Sequence, residues 1–179
     1  MRHIVHFVNV SLDGRICGPA GEFDWAQVGE DYSELSFSLQ TEDTTLLYGR
    51  AVWEMMAGYW PTADEQSDHP HTVRYAPIWR AARKVVASRT LEKAEGAELV
   101  RSVDEIAALD GRLLLMGGGG LAGAVAAAGL LDELRIAVHP VVLGGDHAVL
   151  SGAGRLGLTL RESRVLDGRV VLSTYAGSR

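Results

Sequence analysis

The chain has 179 residues, enough for one domain with a substantial core and too few for two ordinary ones. A formal net charge of -6 argues against a general nucleic-acid surface, and a composition of 47% hydrophobic and 22% charged residues leaves no segment polar enough for long disorder. The single Cys17 cannot form an internal disulfide, no apolar run is long enough to span a bilayer, and the first residues lack the pattern of a secretory signal; the expectation is a cytoplasmic protein, residues 1–179 forming one domain, with small-molecule partners and neither nucleic acid nor membrane.

Ile4 to Val10 is an apolar, β-branched run that reaches Ser11-Leu12-Asp13-Gly14, so it predicts a buried strand opening into a turn. In open α/β sheets ligands gather outside the carboxyl ends of strands, which makes this turn a candidate wall of a site; an ordinary Asp-Gly turn fits the same residues. From about Val28 to Gln40, Val28, Tyr32, Leu35 and Leu39 share one helical stripe, with Asp31 at its edge, Glu30 and Glu34 further into solvent, and Phe37 off the stripe as a second contact or a substrate wall.

Thr44 to Tyr48 predicts a second strand, followed at once by Gly49-Arg50 and a helical Ala51-Val52-Trp53-Glu54-Met55-Met56. An arginine at a helix start can form charge-assisted bonds to phosphate or pair with a nearby acid. Thr62 to Thr72 is polar and predicts an exposed excursion; His69 and His71 lie in it without a matching metal-ligand set, so no metal is expected. Trp79 to Arg83 closes a short helix before a third buried strand, Lys84 to Ala87, which ends in Ser88-Arg89-Thr90. Hydroxyls beside a guanidinium at a strand end suit a phosphate monoester such as the one that distinguishes NADP from NAD, or a plain turn.

Glu98 to Arg101 fits a further short strand, and Ser102-Val103-Asp104-Glu105 a helix start with a capping box. Leu113 to Met116 then breaks into Gly117-Gly118-Gly119-Gly120 and enters an uncharged helix beginning at Leu121. Glycines let the main chain approach a pyrophosphate while the helix start aims N–H groups at it; close packing of helix on strand would equally call for glycine. Leu134 to Leu143 is a β-rich run interrupted by Pro140, which predicts an edge strand or a bulge. Gly144 to Gly157 reads as a mobile loop, and Leu158–Val165 and Val170–Tyr175 form a hairpin through Asp167-Gly168. Strands alternating with helices and closing on an antiparallel pair imply an α/β mixed sheet with helices on both faces.

Five of these motifs in this order resemble the dihydrofolate reductase-like superfamily, in the branch of the riboflavin-biosynthesis (pyrimidine) reductase C-terminal domain. They are Ser11–Gly14, Tyr48–Arg50, Lys84–Thr90, Gly117–Gly120, and Leu130–Arg135 continuing through His139-Pro140 to Gly144. The resemblance runs over nearly the whole chain. It implies a three-layer α/β/α domain around an eight-stranded mixed sheet, NADPH as hydride donor, and a homodimer. Carried over by position, Gly49, Arg50 and Val52 would face the cofactor phosphates. Ser88, Arg89 and Thr90 would surround the 2′-phosphate, and Gly117, Gly118, Gly119, Gly120 and Leu121 the pyrophosphate. Ser11, Asp13, Gly14 and Ile16 would lie beside nicotinamide and substrate.

Dihydrofolate reductases carry a pterin-binding carboxylate on the first helix; here Asp31 is the preferred equivalent, with Glu34 behind it. Pyrimidine reductases usually have a lysine where this chain has Phe7. The expectation is an NADPH-dependent reductase of a small heterocyclic or carbonyl-like substrate, with Asp13 or Asp31 as proton relay and Phe37 and Trp53 on the substrate side. The alternatives are a pterin reductase and a non-catalytic NADPH-binding module. A Rossmann dehydrogenase is the remaining rival, since Gly118, Gly120 and Gly123 fit G-x-G-x-x-G, but no acid closes the next strand at the usual distance and Asp146 comes late.

Overall fold

The computed structural model describes residues 1–177; residues 178 and 179 of the expected domain lie outside the described residues. The strands are β1 (His3–Ser11), β2 (Thr44–Gly49), β3 (Lys84–Ala87), β4 (Glu98–Val100), β5 (Arg112–Leu115), β6 (Glu133–His139), β7 (Leu158–Leu166) and β8 (Val170–Gly177). The helices are α1 (Glu30–Ser38), α2 (Arg50–Tyr59), α3 (Ala63–Gln66), α4 (Pro70–Ala81), α5 (Val103–Ala108) and α6 (Gly119–Ala127). All eight strands form one sheet in the order β4-β3-β2-β5-β1-β6-β8-β7. The first six run parallel, and β8 is antiparallel to both of its neighbours.

The parallel strands read as nearly continuous apolar runs because both faces of the sheet are covered. On one face Phe7, Leu46, Tyr48 and Val86 meet Tyr32, Leu35, Trp53, Tyr75 and Trp79 from α1, α2 and α4. On the other, Ile4, Leu47, Val85, Leu113 and Leu115 meet Ile106 of α5 and Ala122 and Val125 of α6. Burying one such side chain contributes about 1.5–3 kcal/mol, so the two clusters fix the three layers. The expected α/β/α architecture, with its C-terminal antiparallel hairpin, is what the chain adopts.

Three local expectations are corrected. Thr62 to Thr72 is not one open excursion: it holds α3 and the start of α4, and the helix expected to close at Trp79–Arg83 does end there, at Ala81, but is twelve residues long. Pro70 sits in the first turn of α4, where its missing N–H costs nothing, and buried Tyr75, Ala76 and Trp79 hold the helix around Pro77. Pro140 marks neither an edge nor a bulge: β6 lies between β1 and β8 and stops one residue earlier. The segment after Gly144 has no helix or strand but is pinned. Ser151 N–H donates to the Gly119 carbonyl at 3.1 Å, and Ile16 N–H to that of His147 at 3.0 Å.

Candidate functional site

Three adjacent parallel strands each end at an arginine. β2 passes into Arg50, the first residue of α2; β3 runs out through Ser88 to Arg89; β4 is followed at once by Arg101. Their ends open into a cavity of about 570 Å³ lined by Gly49, Arg50, Ser88, Arg89, Arg101 and Ser102, with Val103, Ile106, Leu121 and Ala124 from α5 and α6. Three arginines and no acid line it, in a chain whose net charge is -6; Arg50 is paired with Glu54 just outside the lining.

The cavity is partly pre-arranged. Arg50 is held by Glu54 at 2.8 Å and donates to the Thr90 hydroxyl at 3.0 Å, which orients its guanidinium toward the β3 end. Ser88 Oγ accepts from the N–H groups of Thr90 and Leu91, folding the turn after β3. Arg101 braces that turn by donating to the carbonyls of Ser88 and Leu91 at 2.8 and 2.5 Å. Arg89 forms no hydrogen bond or ion pair among the described residues. Half of the capping box expected at Ser102 forms: its hydroxyl accepts from Glu105 N–H, while the Glu105 carboxylate reaches one residue past the cap to Arg101 N–H.

The structure therefore brings Gly49, Arg50, Ser88, Arg89 and Leu121 around one cavity and sets Thr90 on its arginine. Arg101 and Ser102 were missed by sequence reasoning. The signal was available, since β4 ends on a cation as β2 and β3 do, but nothing in the sequence shows that the three strands are neighbours.

The glycine run divides its roles. Gly117 has φ +110°, a conformation that favours glycine, and its carbonyl accepts from Gly49 N–H at 2.7 Å. Val52 packs against Gly117 and Gly118. A Cβ on Gly119 would stand 2.1 Å from the Ala148 carbonyl oxygen, and one on Gly123 would stand 1.9 Å from that of Ser151. These two are glycine because the pinned loop lies on α6. Gly120 alone of the run has nothing within 4 Å. Gly118 caps α6 with no side-chain bond, leaving the first-turn N–H groups to other partners.

At the β1 end, Asp13 is a turn organiser. Its carboxylate accepts from Ser11 Oγ at 2.6 Å and from the N–H groups of Leu143 and Gly144, and Ser11 Oγ in turn accepts from Arg15 N–H. The Ser11 hydroxyl, then the two amides, hold the Asp13 pKa down at about 2, so it is ionised at neutral pH and has no proton to give. Gly14 occupies the turn with φ +76°, and Ile16 packs toward Gly119. Asp31 is tied to the β7–β8 turn. It accepts from Asp167 N–H at 2.8 Å while the Asp167 carboxylate accepts from the N–H groups of Asp31 and Tyr32, a reciprocal cap for α1. Trp53 is buried in the core, its ring stacked on Trp79 at 6.1 Å.

Phe37 lines a second cavity, of about 470 Å³, between α1 and α4, with Glu30, Ser33, Glu34, His71 and Arg74 among its walls. Arg74 lies 4.0 Å over the Phe37 ring and pairs with Glu34. His71 stacks on the Phe37 and Tyr75 rings and bonds to Ser33 Oγ at 2.9 Å. Burial, then the neighbouring His69, pulls its pKa down to about 4.

The sheet order and the cationic cavity at the strand ends define a dihydrofolate reductase-like α/β protein. Solved structures share that fold. A putative riboflavin biosynthesis protein from Shewanella sp. PV-4 superposes with a TM-score of 0.73 at 23% identity, over 99% of each chain. Dihydrofolate reductase from Enterococcus faecalis, complexed with NADP(H) and RAB-propyl, superposes with 0.68 at 19% identity, over 99% of this chain and 97% of that one. Residues 2–172 match the RibD C-terminal domain, and the chain belongs to that family. A relative in Bacillus subtilis (strain 168), the uncharacterized protein YyaP, is 29% identical over 97% of this chain and 94% of its own.

Proposed function

We propose that the chain is an NADPH-dependent reductase of a small heterocyclic or carbonyl-like substrate. The observation that carries this is the cavity with three arginines and no acid where β2, β3 and β4 end. Arg89, without a partner among the described residues, and Ser88 would hold a 2′-phosphate; Arg50, Gly118 and the α6 start would hold the pyrophosphate. Bound there, the reduced nicotinamide supplies the hydride. The chain's own work is to fix the cofactor phosphates and to hold a flat substrate beyond the Ser11–Ile16 turn.

On the substrate side, Phe37 with Arg74 above it combines a ring wall with a cation. A flat heterocycle fits that ring wall, as in the 5-amino-6-(5-phosphoribosylamino)uracil reductase step of riboflavin synthesis; an anionic substituent there would have to take Arg74 from Glu34. A second copy would complete the assembly as a homodimer.

The test is NADPH and NADH binding, followed by nicotinamide fluorescence. Wild type should prefer NADPH, and Arg89→Ala should weaken NADPH about 10- to 100-fold, for a loss of about 1.5–3 kcal/mol, while leaving NADH unchanged. Equal affinity of wild type for both nucleotides overturns the proposal. One observation favours a non-catalytic NADPH-binding module: Asp13 and Asp31 are both engaged with backbone amides. Tight NADPH binding without oxidation across pterins and pyrimidines would select it.

A further inference from the structure

A polar network lies at the carboxyl ends of β1 and β6, beneath the Ser11 turn, and none of the contacts above uses it. Asn9 of β1, His139 of β6 and Tyr32 of α1 meet on one face of the sheet, and Trp25, from the irregular segment 18–29, covers His139 edge-on with ring centroids 5.4 Å apart. His139 is only 1% exposed.

The hydrogen bonds to Asn9 set the tautomer of His139. Asn9 Nδ2 donates to the Tyr32 hydroxyl at 2.8 Å, so the other amide atom facing His139 Nε2 at 2.9 Å is the oxygen, an acceptor. Nε2 must therefore carry the imidazole proton, and Nδ1 is a bare lone pair. That Nδ1 is buried without a partner, and so is the indole Nε1 of Trp25, a donor. The two unmet groups are of opposite type on rings that meet edge-on, and among the described residues neither pairs with the other or with anything else, so a ligand offering an acceptor and a donor side by side would satisfy both. Burial, then the nearby Arg169, lowers the His139 pKa, which keeps the ring neutral at pH 7.

We propose that His139 is a substrate-positioning residue: its Nδ1 lone pair and the Trp25 indole N–H together take the edge of a flat ring that carries a donor and an acceptor side by side. Asn9 sets the tautomer, and segment 18–29, which has no regular structure, makes room for the guest. What the ring is held against rests on the reductase proposal; the recognition itself does not.

The probes are 5,6-diaminouracil and pterin, added to protein saturated with NADP+, and the readout is the imidazole nitrogen shifts of 15N-histidine-labelled protein. The free protein should show His139 protonated on Nε2 only. Either probe should move the Nδ1 resonance, with Trp25 fluorescence changing at the same concentration. Trp25→Phe, which removes the indole N–H along with one of the two fused rings of a half-buried side chain, should weaken the probe about 5- to 10-fold with cofactor affinity intact.

Asn9→Asp sets a carboxylate on Nε2, favours the doubly protonated ring and turns Nδ1 into a donor. Probe affinity should then fall at pH 6 and recover as pH rises. The other groups facing the ring are Arg169 and Tyr32, whose hydroxyl burial pushes up to about 12, so the Tyr32 phenol keeps its proton across this range. A proton on Nδ1 in the free protein, a bound probe that leaves the His139 nitrogens unmoved, or failure of both probes to bind at 1 mM each overturns the proposal. Cofactor binding is scored separately: its loss would sink the reductase proposal and leave the His139 result standing.

Discussion

His6 shows how one buried residue sets the acid tolerance of this fold. It is fully buried on β1, and its Nδ1–H donates to the Leu115 carbonyl at 2.8 Å, while Nε2 has no partner. Burial pulls its pKa from 6.5 to about 4, against a smaller opposing effect of the Leu115 bond. Between those two values the unfolded chain binds a proton that the native state refuses, so native stability falls as pH drops through that window, by about 3 kcal/mol for a shift of this size. Asp13, with its pKa held down near 2, loses its stabilising bonds only at still lower pH. Urea denaturation at pH 7 and pH 4.5 should therefore show a drop in midpoint for wild type and a smaller drop for His6→Gln, which keeps a donor for Leu115 and cannot titrate. Equal drops would mean that the acid sensitivity lies elsewhere, with His71 next in line.

Among the elements, α6 separates two demands that a run of glycines leaves confounded. Gly123 faces the Ser151 carbonyl, so Gly123→Ala forces backbone apart and should cost about 1–3 kcal/mol in thermal or urea unfolding. Gly120 is exposed, helical and clear of neighbours, so Gly120→Ala should gain up to about 1 kcal/mol by helix propensity. If the N–H groups of this turn hold a pyrophosphate, the same stabilised variant should bind NADPH more weakly. If affinity is unchanged, the run is there for packing alone. The strand ends were legible because each apolar run stops at glycine, serine or arginine, a local signal. The roles of Asp13 and Asp31 were not, because the amides that hold them lie 130 and 136 residues away. The pinned loop over Gly119 and Gly123 was hidden for the same reason, and the start of α4 was hidden by the polar residues around Pro70, while core contacts no local window contains hold the helix around Pro77.

For the molecule as a whole, the outer sheet is the unfinished part. α5 and α6 pack over Ile4, Leu113 and Leu115 and their neighbours, but further out Leu160, Val165 and Val171 are 56%, 59% and 42% exposed. The register pairs Val165 with Val171, Ser163 with Ser173 and Leu160 with Tyr175 across β7 and β8, so these residues share one face. Glu162 and Arg164 lie on the other face, where they pair with each other. A nine-residue edge strand with an apolar face is an aggregation hazard unless something covers it. The face is self-complementary: a two-fold axis through the Ser163–Ser173 rung would lay the Leu160–Tyr175 rung of one copy on the Val165–Val171 rung of the other. Sedimentation at micromolar concentration should then give twice the 19.2 kDa of the chain, and the double variant Leu160→Glu, Val165→Glu should sediment as monomer. Both positions are solvent-exposed in the single chain, so the variant should keep its fold and, because the arginine cavity lies at the opposite end of the sheet, its NADPH affinity. A wild type that stays monomeric at tens of micromolar would mean that this face serves some other partner.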